Sequence, residues 1–75
     1  MQFEYSLHWR NKKVYHPEIT DDVLELCILN SPKIRDRTWE NVWNAIAPIP
    51  PSGNILKVAY KEKGKVIKIL TAYWL

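Results

Sequence analysis

The sequence predicts an α+β domain, in which short N-terminal helices pack on a small antiparallel sheet that ends in a C-terminal hairpin. The clearest observation is a pair of segments rich in β-branched and aromatic residues, 55–60 and 66–73, on either side of the charged segment 61–65. Gly64 in that segment can adopt a positive φ, so a hairpin loop of three to five residues is expected. A helical pattern at 21–30 supplies a cover for the hairpin, which would be marginally stable alone. The 75 residues are expected to form one domain with a thin core.

The N-terminal segment combines a short alternating stretch with an irregular basic one. Residues 3–7 alternate between apolar and polar, which suits either a first strand or the lead-in to a helix. Between Leu7 and Tyr15 the apolar positions are less regular, and a short helix is the preferred interpretation. Pro17 should end that helix, because proline disfavours the α conformation at His16.

A second helix is predicted over about residues 21–30. Thr20 can cap its first free N–H groups, and the carboxylates of Asp21 and Asp22 favour the positive end of the helix dipole. The apolar stripe that should pack on the hairpin consists of Val23, Leu24, Cys27 and Ile28. Because Cys27 lies on this stripe, we expect a buried and inert thiol.

The middle of the chain has two interpretations. Residues 33–37 alternate charge with one apolar residue, as an exposed extended segment or edge strand would. Thr38 can then cap a helix, because four apolar residues follow at helical spacing. These residues are Trp39, Val42, Trp43 and Ile46. In that helix Trp39 and Trp43 would be core residues, whereas a strand is the competing interpretation. The proline-rich segment 48–53 is expected to be a stiff connector.

Composition limits the class of protein. The net charge of +3 and a pI near 9.1 favour polyanionic partners slightly. The single cysteine cannot form an internal disulfide, which indicates a reducing compartment. No signal-peptide order begins the chain, and no apolar run approaches the roughly 18 residues of a membrane span. We therefore expect a cytoplasmic protein with no membrane partner. A core this small contributes only about 3–5 kcal/mol, so a homodimer or another partner could complete it.

The sequence shows no motif for metal or cofactor chemistry. It contains two histidines, one cysteine and two isolated glycines, with no Cys-x-x-Cys, no His-Glu-x-x-His and no glycine-rich phosphate loop. No cofactor and no metal site are expected. What remains is chemistry that uses His, Lys, Arg, Tyr and Thr. Metal-independent RNA cleavage needs such groups, because the 2′-hydroxyl attacks the neighbouring phosphorus while side chains transfer protons and stabilise charge.

Three residues are the catalytic candidates for that reaction. His16 is a candidate because histidine is a common general acid or base near neutral pH, and Thr71 and Tyr73 share one face of the last predicted strand. The predicted nucleic-acid-binding residues are Arg10, Lys12, Lys13, Arg35, Arg37 and Lys57. Each has an ordinary alternative: His16 as a loop residue bonded to backbone, residues 10–13 as a solvated basic face, and the two strand residues as structural.

The four tryptophans also admit a base-stacking interpretation. For Trp39 and Trp43, core packing is preferred because of their helical spacing. Trp9 and Trp74 are undecided, and Trp74, next to last in the chain, could contact a partner.

Several short motifs occur in an order typical of one group of proteins. They are Trp9, His16-Pro17-Glu18-Ile19-Thr20, Asn30-Ser31-Pro32, Leu56-Lys57-Val58-Ala59-Tyr60 and Leu70-Thr71-Ala72-Tyr73. Over nearly the whole chain, this order resembles small RelE/barnase/colicin-nuclease-type domains. The resemblance implies an α+β fold and a metal-independent ribonuclease, often the toxin of a toxin–antitoxin pair. By position, His16 matches the helix-start histidine of that group, and Thr71 and Tyr73 match its terminal-strand polar residues.

The sequence thus supports two functional hypotheses. The first is a toxin-type, metal-independent endoribonuclease that acts on tRNA or mRNA, with a cognate antitoxin protein as a further partner. The alternative is a non-catalytic module on the same scaffold that binds nucleic acid or protein. It is supported by the thin catalytic set and the tryptophan-rich, marginal core.

Overall fold

The computed structural model describes residues 1–75 and contains two α-helices, a short 3₁₀ helix and five strands. In chain order these are β1 (Gln2–Tyr5), α1 (Leu7–Lys12), the 3₁₀ helix (Lys13–Tyr15), α2 (Asp21–Asn30), β2 (Ile34–Arg35), β3 (Trp43–Ile49), β4 (Asn54–Lys63) and β5 (Val66–Trp74). The strands form one sheet in the order β1-β5-β4-β3-β2. The predicted α+β class is therefore confirmed. Neither α-helix is long and apolar enough to cross a membrane.

The sheet is mixed rather than purely antiparallel. Strands β2 to β5 pair antiparallel, but β1 runs parallel to β5, with Phe3 opposite Ile67. Parallel neighbours require a crossover connection, and here it consists of the helices and strands β2 to β4, which lie between β1 and β5 in the chain. The N-terminal and C-terminal strands thus lie side by side.

The C-terminal hairpin is confirmed, with longer arms than the sequence indicated. Strands β4 and β5 pair from Leu56 opposite Trp74 to Lys63 opposite Val66. The expected loop of three to five residues is instead a two-residue turn of Gly64 and Lys65. Gly64 has φ of 61°, and a two-residue turn that begins with glycine keeps the strand twist. The charged residues before it therefore belong to the strand.

Both predicted N-terminal helices are confirmed. Residues 3–7 combine the two alternatives, because β1 ends at Tyr5 and Ser6 then caps α1 by accepting the Trp9 N–H. The cap of α2 is Thr20, whose Oγ1 accepts the Val23 N–H at 3.3 Å.

The helix predicted after Thr38 was wrong: residues 43–49 form strand β3. Its buried apolar side chains are Ala45, Ala47 and Ile49, which recur every second residue and not at helical spacing. Asn41 has φ of 61°, which breaks any helix through this region. The alanines face α2, which packs closely on β3. The connector predicted at 48–53 is shortened to residues 50–53, because Pro48 and Ile49 belong to β3.

Strand β3 has an unusual outer edge. Its neighbour β2, the predicted edge strand at 33–37, covers only two residues of it. Farther along, the Ile46 N–H donates to Ser31 Oγ at 2.8 Å, and Pro48 has no N–H. This edge therefore offers few free donors to another strand.

The core lies between the helices and one face of the sheet. Its fully buried side chains include Trp9, Leu24 and Leu56. Cys27 is also fully buried, as predicted, and burial raises the pKa of its thiol. None of the side chains on the opposite face of the sheet belongs to this core.

Candidate functional site

The face of the sheet that the helices leave uncovered, here called the open face, carries polar and basic side chains. Its residues are Gln2 and Glu4 from β1, Asn44, Ile46 and Pro48 from β3, Ile55, Lys57, Ala59, Lys61 and Lys63 from β4, and Val66, Lys68, Thr71 and Tyr73 from β5. The one carboxylate among them, Glu4, lies 3.6 Å from Lys63 Nζ. A bulge at Leu70 shifts the register, so that Tyr60 pairs with Ile69 but Ala59 pairs with Thr71. Thr71 and Tyr73 therefore join Lys57 on the open face, whereas Ala72 enters the core.

Four of the catalytic and binding residues predicted from the sequence come together at one end of the open face. Lys12 Nζ lies 3.5 Å from Thr71 Oγ1 and 5.0 Å from the centre of the Tyr73 ring. Lys57, directly across from Tyr73 in the sheet, has its Nζ 5.8 Å from the same ring. We call Lys12, Lys57, Thr71 and Tyr73 the Tyr73 cluster. It holds two ammonium groups over one aromatic ring, an arrangement with cation–π character.

A cavity of about 280 Å³ adjoins this cluster. Lys57 and Asn44 form part of its floor, and Arg35 and Arg37 stand in the segment along its side. The cavity therefore brings Arg37 and Lys57 to one rim beside the Tyr73 cluster, where cations could bind an anion such as phosphate. The Arg35 guanidinium lies instead over Trp43, on the other face of the sheet.

Asp36 holds the loop beside this cavity. Its carboxylate accepts hydrogen bonds from the Trp39 N–H at 2.8 Å, the Thr38 N–H at 3.0 Å and Asn44 Nδ2 at 3.1 Å. The Trp39 bond, followed by those from Asn44 and Thr38 and the charge of Lys57, holds the pKa of Asp36 below its ordinary value. Asn44 is 8% exposed, and its Oδ1 has no hydrogen-bond partner.

His16, the third catalytic candidate, has different partners. Its Nδ1 lies 3.2 Å from Glu18 Oε2, and the same oxygen accepts the Trp74 Nε1–H at 2.9 Å. The Trp74 bond is the main reason that the pKa of Glu18 is lowered. Trp74 pairs with the buried Leu56 and packs against the core, so its side chain points away from the open face on which Tyr73 lies. The predicted catalytic residues thus form two separate groups.

The remaining predicted basic residues lie outside the Tyr73 cluster. Arg10 is exposed on α1. Lys13 Nζ lies 4.5 Å from the Tyr5 ring centre, and Arg35 Cζ lies 5.3 Å from the Trp43 ring centre. Tyr5 itself donates to Asp21 at 2.5 Å, and burial together with this carboxylate raises the pKa of Tyr5 to about 12.

Sequence reasoning missed several members of these sites. Lys61 and Lys68 pair across the hairpin on the open face, and their positions in the alternating strands were the available signal. Asp36 had a local signal, because an aspartate often accepts N–H groups two and three residues ahead, as it does from Thr38 and Trp39. The bonds from Asn44 to Asp36 and from Trp74 to Glu18 had no such signal, because folding brings these partners together. Trp39, expected in the core, is 69% exposed, which corrects that prediction.

No three histidine, cysteine, aspartate or glutamate side chains gather in a way that could hold a metal ion. No protein-family model, curated protein or solved structure matches this chain. The resemblance to small nuclease-type domains therefore stays a prediction from the sequence.

Proposed function

We propose that this chain binds RNA on the open face of its sheet. The observation that carries the proposal is the placement of Lys12 and Lys57 together over the Tyr73 ring. Lysines attract the phosphate backbone, and an aromatic ring among them offers a surface on which a base can stack. Lys61 and Lys68 extend the positive charge along the same face.

Binding is tested by fluorescence anisotropy of a labelled single-stranded RNA at low salt, with the chain as titrant. The expected result is saturable binding that weakens steeply as salt is added, because phosphate contacts release counterions. A folded chain that leaves the anisotropy unchanged at low salt would refute the proposal.

A second candidate is the metal-independent endoribonuclease that the sequence predicts. The observation that favours it is the Tyr73 phenol on the same face as the Thr71 hydroxyl, with the Lys12 and Lys57 ammonium groups beside it. In such a reaction the 2′-oxygen bonds to phosphorus as the bond to the 5′-oxygen breaks. One group removes the 2′-hydroxyl proton, another protonates the 5′-oxygen, and the ammonium groups stabilise the added negative charge.

Cleavage of labelled tRNA and mRNA in EDTA tests this activity. If the Tyr73 cluster is the reactive site, Tyr73→Phe should cleave about 100-fold more slowly, because it removes only the phenol hydroxyl. Comparison with His16→Ala assigns the site, since His16 lies in the other group of residues. Tyr73→Phe that cleaves like the parent would remove Tyr73 from the mechanism. RNA that binds but is never cleaved would leave the chain as a non-catalytic binding module.

A further inference from the structure

Trp39 is the one tryptophan whose ring has no structural partner in the fold. Trp9 is fully buried, and the Trp74 indole N–H donates to Glu18. Trp43 is half-buried, with Lys33 Nζ and Arg35 Cζ at 4.4 Å and 5.3 Å from its ring centre. Trp39 is 69% exposed, and its ring has neither a hydrogen bond nor a cation beside it. Trp39 therefore buries little apolar area and contributes little to the stability of this small domain.

The loop that carries Trp39 is nevertheless well ordered by hydrogen bonds. Asp36 accepts the backbone N–H groups of Thr38 and Trp39, and its own N–H donates to the Val42 carbonyl at 3.0 Å. Asn44, on the open face, donates a hydrogen bond from its Nδ2 to the other oxygen of the Asp36 carboxylate. The loop is thus tied directly to the sheet, and the indole is held in solvent by a fixed backbone, which reduces the ordering entropy of binding.

The surroundings of the Trp39 loop select an anionic ligand. Thr38, the residue before Trp39, lines the cavity on the open face together with Arg37 and Lys57. Cations for phosphate and an exposed ring for stacking therefore lie on neighbouring parts of one surface. A ligand that satisfies both must present a phosphate chain together with an accessible aromatic face.

We infer that Trp39 stacks on an unpaired base of single-stranded RNA whose phosphates bind the lysines of the open face and Arg37 at the rim of the cavity. This inference rests on the proposed function and names its substrate class. Duplex RNA does not fit, because its bases are already stacked on one another and offer no free face. Because Thr38 and Lys57 line the same cavity, an RNA strand that runs from the Tyr73 cluster across this cavity would reach the loop that carries the indole.

Three ligands and three variants test the inference. The ligands are a short single-stranded RNA, its duplex, and a strand of equal length without bases, each measured by anisotropy. Trp39→Ala should bind the single-stranded RNA about tenfold more weakly than the parent, while Trp39→Phe should recover most of the affinity. Against the duplex and the strand without bases, Trp39→Ala and the parent should be equal, because phosphate contacts are unchanged.

Tyr15→Ala is the matched control. Tyr15 is an aromatic residue that is 81% exposed, but it lies on the 3₁₀ helix and not on the open face. It should leave all three affinities unchanged. Since Trp39 is exposed, its substitution should also leave the thermal unfolding temperature nearly unchanged.

The outcomes separate this inference from the proposed function. If the parent binds none of the three ligands, the proposed function itself fails. If the parent binds single-stranded RNA but Trp39→Ala binds it equally well, RNA binding stands and the stacking role of Trp39 is overturned, leaving the exposed indole for a protein contact. The stacking role would also be overturned if Trp39→Ala lost as much affinity for the strand without bases as for the single-stranded RNA. The same conclusion would follow if the parent bound the duplex more tightly than the single-stranded RNA.

Discussion

The salt dependence of RNA binding can be predicted from the cations of the open face. Five side chains are available to single-stranded phosphates on this face and its rim, namely Lys12, Arg37, Lys57, Lys61 and Lys68. At about 0.7 per contact, five contacts give a slope of about −3.5 for the logarithm of the binding constant against the logarithm of salt concentration. Replacing Lys12 and Lys57 by methionine keeps much of their apolar stems and removes both charges.

The double variant should therefore show a slope of about −2.1. Between about 50 and 200 mM salt, the parent should lose about 100-fold in affinity and the double variant about 20-fold. Anisotropy titrations with one labelled single-stranded RNA across this range measure both slopes. Circular dichroism should show that the variant stays folded, since neither lysine is a core residue.

A second double variant controls for net charge. Lys13→Met with Lys65→Met removes the same two charges, but Lys13 lies against Tyr5 and Lys65 lies in the hairpin turn. Its slope should stay close to that of the parent. Equal slopes for the two double variants would refute the assignment of phosphate binding to the Tyr73 cluster, because only overall charge would then matter.

Two further predictions concern the scaffold and the loop. Leu24→Ala, at a fully buried position of α2, should lower the free energy of unfolding by about 2–5 kcal/mol in urea. Leu29→Ala in the same helix, where the side chain is 68% exposed, should change it by less than about 0.5 kcal/mol, and equal losses would contradict the packing described for α2. Because the pKa of Asp36 is lowered in the folded state, its stabilisation is complete above the unfolded pKa of about 3.9 and is lost as pH falls through the lower folded value. The difference in melting temperature between the parent and Asp36→Asn should therefore shrink in acid, and a difference that stays constant down to about pH 2 would contradict this role.

The elements that the sequence predicts well are those whose signals are local. The α2 helix has a capping threonine and two acidic residues at its start, and the hairpin has two β-rich arms around a glycine. Each of these patterns depends on near neighbours in the chain, so no knowledge of tertiary contacts was needed.

Strand β3 shows why other parts could not be predicted. The helical spacing from Trp39 to Ile46 was a coincidence, because Trp39 lies in a loop and Ile46 points to the open face. The true pattern was the alternation of Ala45, Ala47 and Ile49, but alanine is a weak strand former by itself. Its small side chain is favoured here by the close packing of α2, which is a tertiary contact.

The candidate site was predictable in its residues but not in its grouping. Lys12 and Thr71 are 59 positions apart, and only the pairing of β1 with β5 brings α1 beside the last strand. The Leu70 bulge could not be foreseen either, although it decides that Tyr73 and Lys57 share a face. His16 was predicted as a catalytic residue, with a loop residue bonded to backbone as the alternative. Its ring lies beside Glu18, two residues away, and only folding brings Trp74 to the same Glu18 oxygen.

The two edges of the sheet differ in what they would permit between molecules. At β3 the possible donors are used by β2 and Ser31 or removed by Pro48, whereas β1 forms the opposite edge and no loop hydrogen bond reaches its backbone. Two copies that joined through β1 would make one continuous sheet related by a two-fold axis. Such a pair would have the β2–β3 edges outermost, where β2 spans only two residues and β3 offers few free donors, so further strand addition beyond a dimer would be disfavoured.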